Sequence, residues 1–229
     1  MTEFFEIAIF PLILTLAAFR VGQLCQAKWK SPMLNPILVA AVLVILFLLV
    51  TGMDFGTYKA GASTISWLMT PATISLAIPM YEQFQALRKN LKAIAAGVAA
   101  GTAGCLVLIL ALALVFGYDR SLTISLLPKG ITTAIGMTLA ELYGGIPSIT
   151  TLAIVITGIL GNMFGIYFCK WFRITHPIAQ GVAFGTGSHV IGTAKANELG
   201  PLTGAVSSLS LVVSGLLTAI LFPILTGFL

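Results

Sequence analysis

Long apolar runs separated by short polar segments dominate the sequence of this 229-residue chain. Runs of about 20 apolar residues are long enough to cross a bilayer as helices. Only 8% of the residues are charged, whereas soluble domains carry about 25%. The pattern predicts an all-α polytopic membrane protein with a single transmembrane domain over residues 1–229. Spans are predicted at residues 4–23, 32–52, 66–82, 93–116, 146–169 and 202–229.

Lysines and arginines cluster in three of the connections, at residues 20–30, 88–92 and 170–173. Because such connections face the cytoplasm, the net charge of +5 indicates orientation and not nucleic-acid binding. An even number of crossings must join residues 92 and 170, so residues 121–145 must return to the side from which they start. Pro128-Lys129-Gly130 interrupts this segment, which predicts a re-entrant helical hairpin. The N-terminus is then outside and the C-terminus is cytoplasmic.

Two further segments are polar and irregular although they lie at membrane depth. Residues 66–82 contain Pro71 and Pro79, and residues 181–198 contain four glycines and several hydroxyl side chains. Proline removes a helical hydrogen bond and glycine weakens a helix. Irregular backbone is tolerated in a bilayer only where protein covers it or where it lines a wet cavity. Both segments are therefore predicted to be broken helices that contribute to a binding site.

The order of the segments indicates an internal repeat. Each broken segment follows a similar apolar run, at Asn35–Leu46 and Pro147–Leu160, and precedes a span rich in glycine and alanine. With the orientation above, the matching spans run in opposite directions, which predicts inverted repeats over approximately residues 1–117 and 118–229. Inverted repeats with discontinuous helices are typical of secondary transporters. We therefore expect an elevator-like architecture, in which a core moves against a scaffold.

Lys129 is the strongest candidate for contact with a substrate. A charge inside an apolar membrane segment is expensive, so the lysine is expected to meet a substrate carboxylate; the alternative is a side chain that snorkels to the interface. Hydroxyl side chains and backbone N–H groups at the starts of half-helices could complete an anion site. The predicted substrate-binding residues are Lys129, Pro128, Thr132, Thr133, Thr70, Pro71, Thr73, Thr186, Ser188, His189, Thr193 and Asn162.

Other kinds of site find little support in the sequence. His189 has no second histidine at metal-ligand spacing, so it either forms a hydrogen bond at a cavity or is a packed, satisfied core residue. The three cysteines have no metal-type spacing. Neither a Ser-His-Asp set nor a pair of catalytic carboxylates is recognisable, so we expect no enzyme, metal or cofactor. Close-packing glycines, such as those of Gly97-xxx-Gly101, indicate a homodimer.

Several motifs resemble those of the LrgB/CidB family, in order and spacing, over nearly the whole chain. They are Asn35-Pro, Thr70-Pro-Ala, Ile78-Pro-Met-Tyr-Glu, Leu127-Pro-Lys-Gly-Ile-Thr-Thr-Ala-Ile, Gly145-Ile-Pro and Gly185-Thr-Gly-Ser-His-Val-Ile-Gly-Thr-Ala. The chain departs from the family pattern at Gly130, Ala134 and Gly187.

The resemblance implies a bacterial inner-membrane protein with a small LrgA/CidA-type membrane partner. It implies a transporter of small monocarboxylates of the pyruvate, glycolate and glycerate class, as in similar transporters of bacteria and plant plastids. The alternative implied by the same resemblance is an antiholin-like regulator of murein hydrolase activity and autolysis. Broken polar helices favour transport, because a holin-like lesion does not need them.

Overall fold

The computed structural model describes the backbone of residues 2–29 and 34–229, with the side chains of this part of the chain except those of residues 2–8, Met69 and Thr73. The regular structure in these ranges is helical throughout, which confirms the all-α prediction. The chain divides into two compact units, Met1–Ser75 and Leu76–Leu229, and each is described by itself.

Unit 1 consists of α1 (Thr2–Trp29), α2 (Pro36–Thr51), α3 (Phe55–Gly61) and α4 (Ser63–Ser75). Asn35 caps α2, because its side-chain oxygen accepts the backbone N–H of Ile37 at 2.9 Å. A small apolar core that includes Ala18 and Val44 joins α1 to α2. The hydroxyl groups of Thr15 and Tyr58 lie 2.7 Å apart, linking α1 to α3.

The predicted interruption of residues 66–82 is found after Ser75, where α4 ends before the next helix (Ala77–Glu82) begins. Its predicted position at Thr70-Pro71 is wrong, because α4 continues through Pro71. Proline removes a single helical hydrogen bond, and membrane helices tolerate that loss. The half-helix start expected there is not formed. The side chain of Thr73 lies outside the described residues, and a substrate-binding role for Thr70, Pro71 and Thr73 stays a prediction.

Unit 2 contains the other helices and one short 3₁₀ turn. They are α5 (Ala77–Glu82), α6 (Phe84–Lys89), α7 (Leu91–Phe116), α8 (Arg120–Leu126), the turn (Leu127–Gly130), α9 (Thr133–Tyr143), α10 (Pro147–Trp171), α11 (Pro177–Leu199) and α12 (Pro201–Thr226).

The segment α8–turn–α9, called the first hairpin, returns to the end at which it begins. The Ser121 hydroxyl donates to the Gly144 carbonyl at 3.1 Å. One turn further into α8, the Ser125 hydroxyl accepts the backbone N–H of Ile146 at 2.7 Å. The predicted re-entrant hairpin over residues 121–145 is therefore confirmed, with its tip at Pro128–Gly130.

α11 is a second hairpin, whereas the predicted cytoplasmic C-terminus requires residues 181–198 to cross the membrane. Its helical geometry fails at His189. Before this break Gly185 packs against the carbonyl of Ser207, and after it the hydroxyl of Thr193 lies 2.8 Å from that of Ser207. Asn197 then packs against Gly204, near the start of α12. Residues 177–188 therefore run parallel to α12 and residues 190–199 run back along it. Neither half is long enough to cross a bilayer by itself.

This second hairpin changes the direction of α12. The guanidinium of Arg120 donates to the Thr226 carbonyl at 3.2 Å, and the rings of Tyr143 and Phe222 lie 5.3 Å apart. α12 therefore ends beside the base of the first hairpin and runs parallel to α7. The predicted opposite directions of α7 and α12 are wrong. The predicted placement of the C-terminus on the side of the basic connections is also wrong, because an odd number of crossings separates residues 170–173 from the end of the chain.

We call the two ends of unit 2 the basic end and the distal end. The basic end is where α7 and α11 begin and α10 finishes, and it carries Arg88, Lys92 and Lys170. The distal end is where the first hairpin begins and α12 finishes. In the described part of the chain, four helices are long and apolar enough to cross a membrane: Ile9–Trp29, Leu91–Phe116, Pro147–Trp171 and Pro201–Thr226. The protein is a multi-pass helical membrane protein.

Candidate functional site

The two hairpins enter unit 2 from opposite ends, and their tips meet near the middle of α7. A Cβ atom added to Gly130 would lie 3.2 Å from the Thr186 carbonyl oxygen and 3.3 Å from the Cys105 sulfur. Pro128, with φ −85° and ψ 19°, bends the first tip and is buried. A glycine at position 130 therefore lets the first hairpin approach the backbone of the second.

The second tip is held in a strained conformation by side chains of α10 and α11. His189 has φ 43° and ψ −140°, a combination that non-glycine residues rarely adopt. Its Nε2 atom donates to the Ile154 carbonyl at 2.7 Å, and its own carbonyl accepts the Thr193 hydroxyl at 2.9 Å. The Asn162 amide donates to the Ile191 carbonyl at 3.0 Å. The last two bonds satisfy carbonyls that a break in a membrane helix would leave unpaired, and the first satisfies the buried imidazole N–H.

Glycines of α10 allow the second hairpin to pack closely against that helix. A side chain at Gly161 would overlap Ser188, and one at Gly165 would overlap the ring of Phe184. The spacing of these glycines therefore serves contact between α10 and α11 within one chain.

The glycines of α7 have a similar use. A Cβ atom added to Gly97 would lie 3.2 Å from Val182, and one added to Gly101 would lie 2.8 Å from the Thr186 hydroxyl oxygen. These glycines pack against α11 of the same chain, so they do not support the predicted homodimer. The homodimer stays a prediction.

A cavity of about 360 Å³ lies between α10, the first half of α11 and the first tip. Its polar lining consists of Lys129, Thr157 and Ser188, together with the backbone at Gly161 and Gly187. Ser188 is only 7% exposed. Lys129 is the one cation in this lining, and the only ion pair in the described part of the chain joins Lys195 to Glu198. Lys129 is half-buried as a residue, and a cation without an acidic partner creates a positive potential at the tips.

The rest of the cavity is apolar and extends to the basic end. This part is lined by side chains of α10, of the connection that follows it and of α11. They are Leu160, Phe168, Phe172, Ile174 and Phe184. The free thiol of Cys169, which is 5% exposed, also faces this space. The cavity thus has one charged end, at the tips, and one aromatic end.

The predicted site residues fall into three groups. Lys129 and Ser188 line the cavity together. His189, Thr193 and Asn162 brace the second tip through the hydrogen bonds given above, and Pro128 shapes the first tip. The remaining residues of unit 2 lie outside the cavity lining. Thr186 donates to the Val182 carbonyl at 2.8 Å and faces a groove beside α7. Thr132 and Thr133 lie at the start of α9.

Sequence reasoning missed Thr157 and the aromatic wall. The glycine spacing of α10 indicates a packing face, but which side chains flank that face depends on where α11 docks. Among the described residues, no group of three histidine, cysteine, aspartate or glutamate side chains could hold a metal ion.

Comparison with known proteins gives relatives of nearly the same length. The sequence profile of the LrgB-like family matches residues 15–228. The holin-like protein CidB of Staphylococcus epidermidis is 32% identical over 225 residues, which is 98% of each chain. The antiholin-like protein LrgB of Bacillus mycoides is 36% identical over 220 residues, which is 96% of each chain. Neither name is that of an enzyme. No solved structure matches the chain.

Proposed function

The chain belongs to the LrgB-like family, and from this premise and the opposed hairpins we propose that it transports small monocarboxylates of the pyruvate, glycolate and glycerate class. The observation that carries the proposal is the position of Lys129. This cation lines a cavity at the point where two hairpin tips meet, and no described acidic side chain pairs with it. A cation that lines such a cavity without an acidic partner is best stabilised by a bound anion.

The neighbouring groups suit a carboxylate with a small polar substituent. The hydroxyl groups of Thr157 and Ser188 line the same polar end and could donate to a 2-oxo or accept from a 2-hydroxy group. A single cation matches a single carboxylate, because a second carboxylate in this lining would be left without a countercharge.

Transport would proceed by alternating access. The cavity extends from the tips towards Phe172 and Ile174 at the basic end. On the distal side of the tips, a buried apolar cluster that includes Ile124, Leu127 and Phe222 closes the path. The second tip is hydrogen-bonded to α10, and Thr150 of α10 donates to the Ser125 carbonyl of the first hairpin. Movement of the hairpins with α10 as one body would open the other side. This agrees with the elevator-like expectation, which rests on the opposed hairpins and no longer on α7 and α12.

The orientation follows from the basic residues, and the location follows from the family. If the basic end faces the cytoplasm, the cavity opens inwards and the C-terminus lies outside. We place the protein in a bacterial inner membrane, with a small LrgA/CidA-type membrane protein as its partner. Both statements rest on family membership. The homodimer, which was predicted from the glycine spacing, stays a prediction.

The second candidate function is antiholin-like control of murein hydrolase activity and autolysis. The names of the two relatives favour it, since one is called holin-like and the other antiholin-like. A transporter could affect autolysis through metabolism, whereas a direct regulator need not bind a carboxylate at all.

Uptake of labelled pyruvate and glycolate into proteoliposomes separates the two functions. The purified chain is reconstituted with and without the small partner, and its folded state is checked by size-exclusion chromatography. The proposal expects saturable uptake of at least one acid in one of the two preparations. Absence of saturable uptake in both, with folded protein, would leave the antiholin-like function as the better account.

A further inference from the structure

The whole cavity, with its polar and apolar parts together, is larger than a three-carbon acid requires. Its volume is about 360 Å³, and cavities of roughly 300–1,000 Å³ accommodate drug-sized ligands. From Thr157 to Phe172 the lining follows α10 over about 22 Å, at 1.5 Å per residue. A small acid held at Lys129 would leave most of this length empty.

The character of the lining changes along this length. The tips contribute the cation and the hydroxyl groups, whereas the part nearer the basic end is lined by Phe168, Phe172, Phe184 and Ile174. Phe184 is fully buried against Gly165. The Trp171 ring lies 6.5 Å from that of Phe168 and 5.4 Å from that of Phe172. The first of these ring pairs is stacked and the second is tilted, so Trp171 connects the two phenylalanines of the wall.

We propose that the cavity prefers monocarboxylates with an apolar tail, such as branched-chain 2-oxo acids, over three-carbon acids. This inference rests on the proposed function and specifies its substrate class. The carboxylate lies at Lys129, the 2-oxo group faces Thr157 and Ser188, and the aliphatic tail points along α10 towards Phe168. Each buried methylene group strengthens binding by roughly two- to fourfold, the lower value applying where the wall is partly open.

The test is a competition series in proteoliposomes. Unlabelled 2-oxobutyrate, 2-oxoisovalerate and 4-methyl-2-oxovalerate compete with labelled pyruvate, and pyruvate itself is the reference. The inference expects inhibition constants that fall stepwise with tail length. Equal or rising constants, with pyruvate still transported, would overturn the inference and leave the proposed function intact. If neither pyruvate nor any longer acid is transported or bound, the proposed function fails.

Two variants of α10 assign the effect to the cavity. Phe168→Ala removes part of the apolar wall, and Phe168 is 53% exposed, so the helix should fold without it. Phe164→Ala is the matched control, because Phe164 lies on the same helix and lines the adjacent apolar groove, which shares Leu160 and Phe168 with the cavity, but is not part of the cavity lining. Phe168→Ala should weaken the binding of 4-methyl-2-oxovalerate by roughly three- to tenfold relative to the binding of pyruvate. Equal effects of the two variants would contradict the assignment.

Discussion

Gly130 of the first hairpin lies so close to the carbonyl of Thr186 in the second that a Cβ atom there would be 3.2 Å from the carbonyl oxygen. The two segments enter from opposite ends of unit 2, and each exposes irregular backbone at its tip. Their meeting point is where Lys129 and Ser188 line one cavity. The proposed transport site depends on this contact.

Gly130→Val is expected to separate the tips. The branched side chain would press on both the Thr186 carbonyl and the Cys105 sulfur, so the hairpins would move apart and the polar end of the cavity would change shape. Uptake should fall at least tenfold while expression persists. Gly104→Val on α7 is the control, since nothing lies within 4 Å of a Cβ atom there. Equal uptake by both variants would show that the tips need not touch.

Gly161→Ala should destabilise the fold. The added methyl group would overlap Ser188, and overpacking of this kind costs about 1–3 kcal/mol. Thermal unfolding in detergent measures the effect. Gly104→Ala, also within a helix but in open space, should be neutral or stabilise by up to about 1 kcal/mol. A stable Gly161→Ala protein would mean that α10 and α11 are packed less closely than described.

Thr193 and Ser207 should be energetically coupled. Their hydroxyl groups lie 2.8 Å apart, and both residues are fully buried. Thr193→Val and Ser207→Ala each leave one hydroxyl group without this partner, whereas the double variant removes both. A double-mutant cycle on thermal stability should give a coupling of about 0.5–1.5 kcal/mol. Strictly additive effects would argue against the returning half of α11.

The position of the C-terminus can be tested by labelling single cysteines. One cysteine replaces Arg173 at the basic end, and the other replaces Gly227 after α12, in a chain without the three native cysteines. Impermeant reagents added to spheroplasts and to inverted vesicles should label the two sites from opposite sides. Labelling from the same side would restore α11 as a crossing helix.

The first hairpin could be predicted from sequence because the chemistry is local. Pro128 and Gly130 weaken a regular membrane helix, and the basic residues on either side require an even number of crossings. The second hairpin has the same number of residues as a crossing helix. Its glycines predict a break, but the angle at His189 is set by tertiary bonds to Ile154 and Thr193. The predicted crossing was therefore wrong although the predicted break was correct.

The site was predictable to a similar extent. Lys129 and Ser188 stand out because polar groups at membrane depth need a reason. Thr157 and Phe168 do not stand out, since hydroxyl and aromatic residues are common on membrane helices. Their membership of the cavity depends on how α10 is rotated against the second hairpin.

The most direct test of the account uses the thiol of Cys169, which lines the same cavity as Lys129. Cys25 and Cys105 are replaced by alanine, and the rate of modification by methyl methanethiosulfonate is measured in membranes. The account predicts that 4-methyl-2-oxovalerate, whose tail reaches the apolar end, slows this reaction more than pyruvate does, and that the neutral amide of the longer acid does not slow it. The protection should disappear in Lys129→Gln. It should persist in the control Lys195→Gln, because Lys195 of the parent protein pairs with Glu198 and does not line the cavity. Undiminished protection in Lys129→Gln, or none in the parent protein at saturating acid, would contradict a carboxylate site at Lys129.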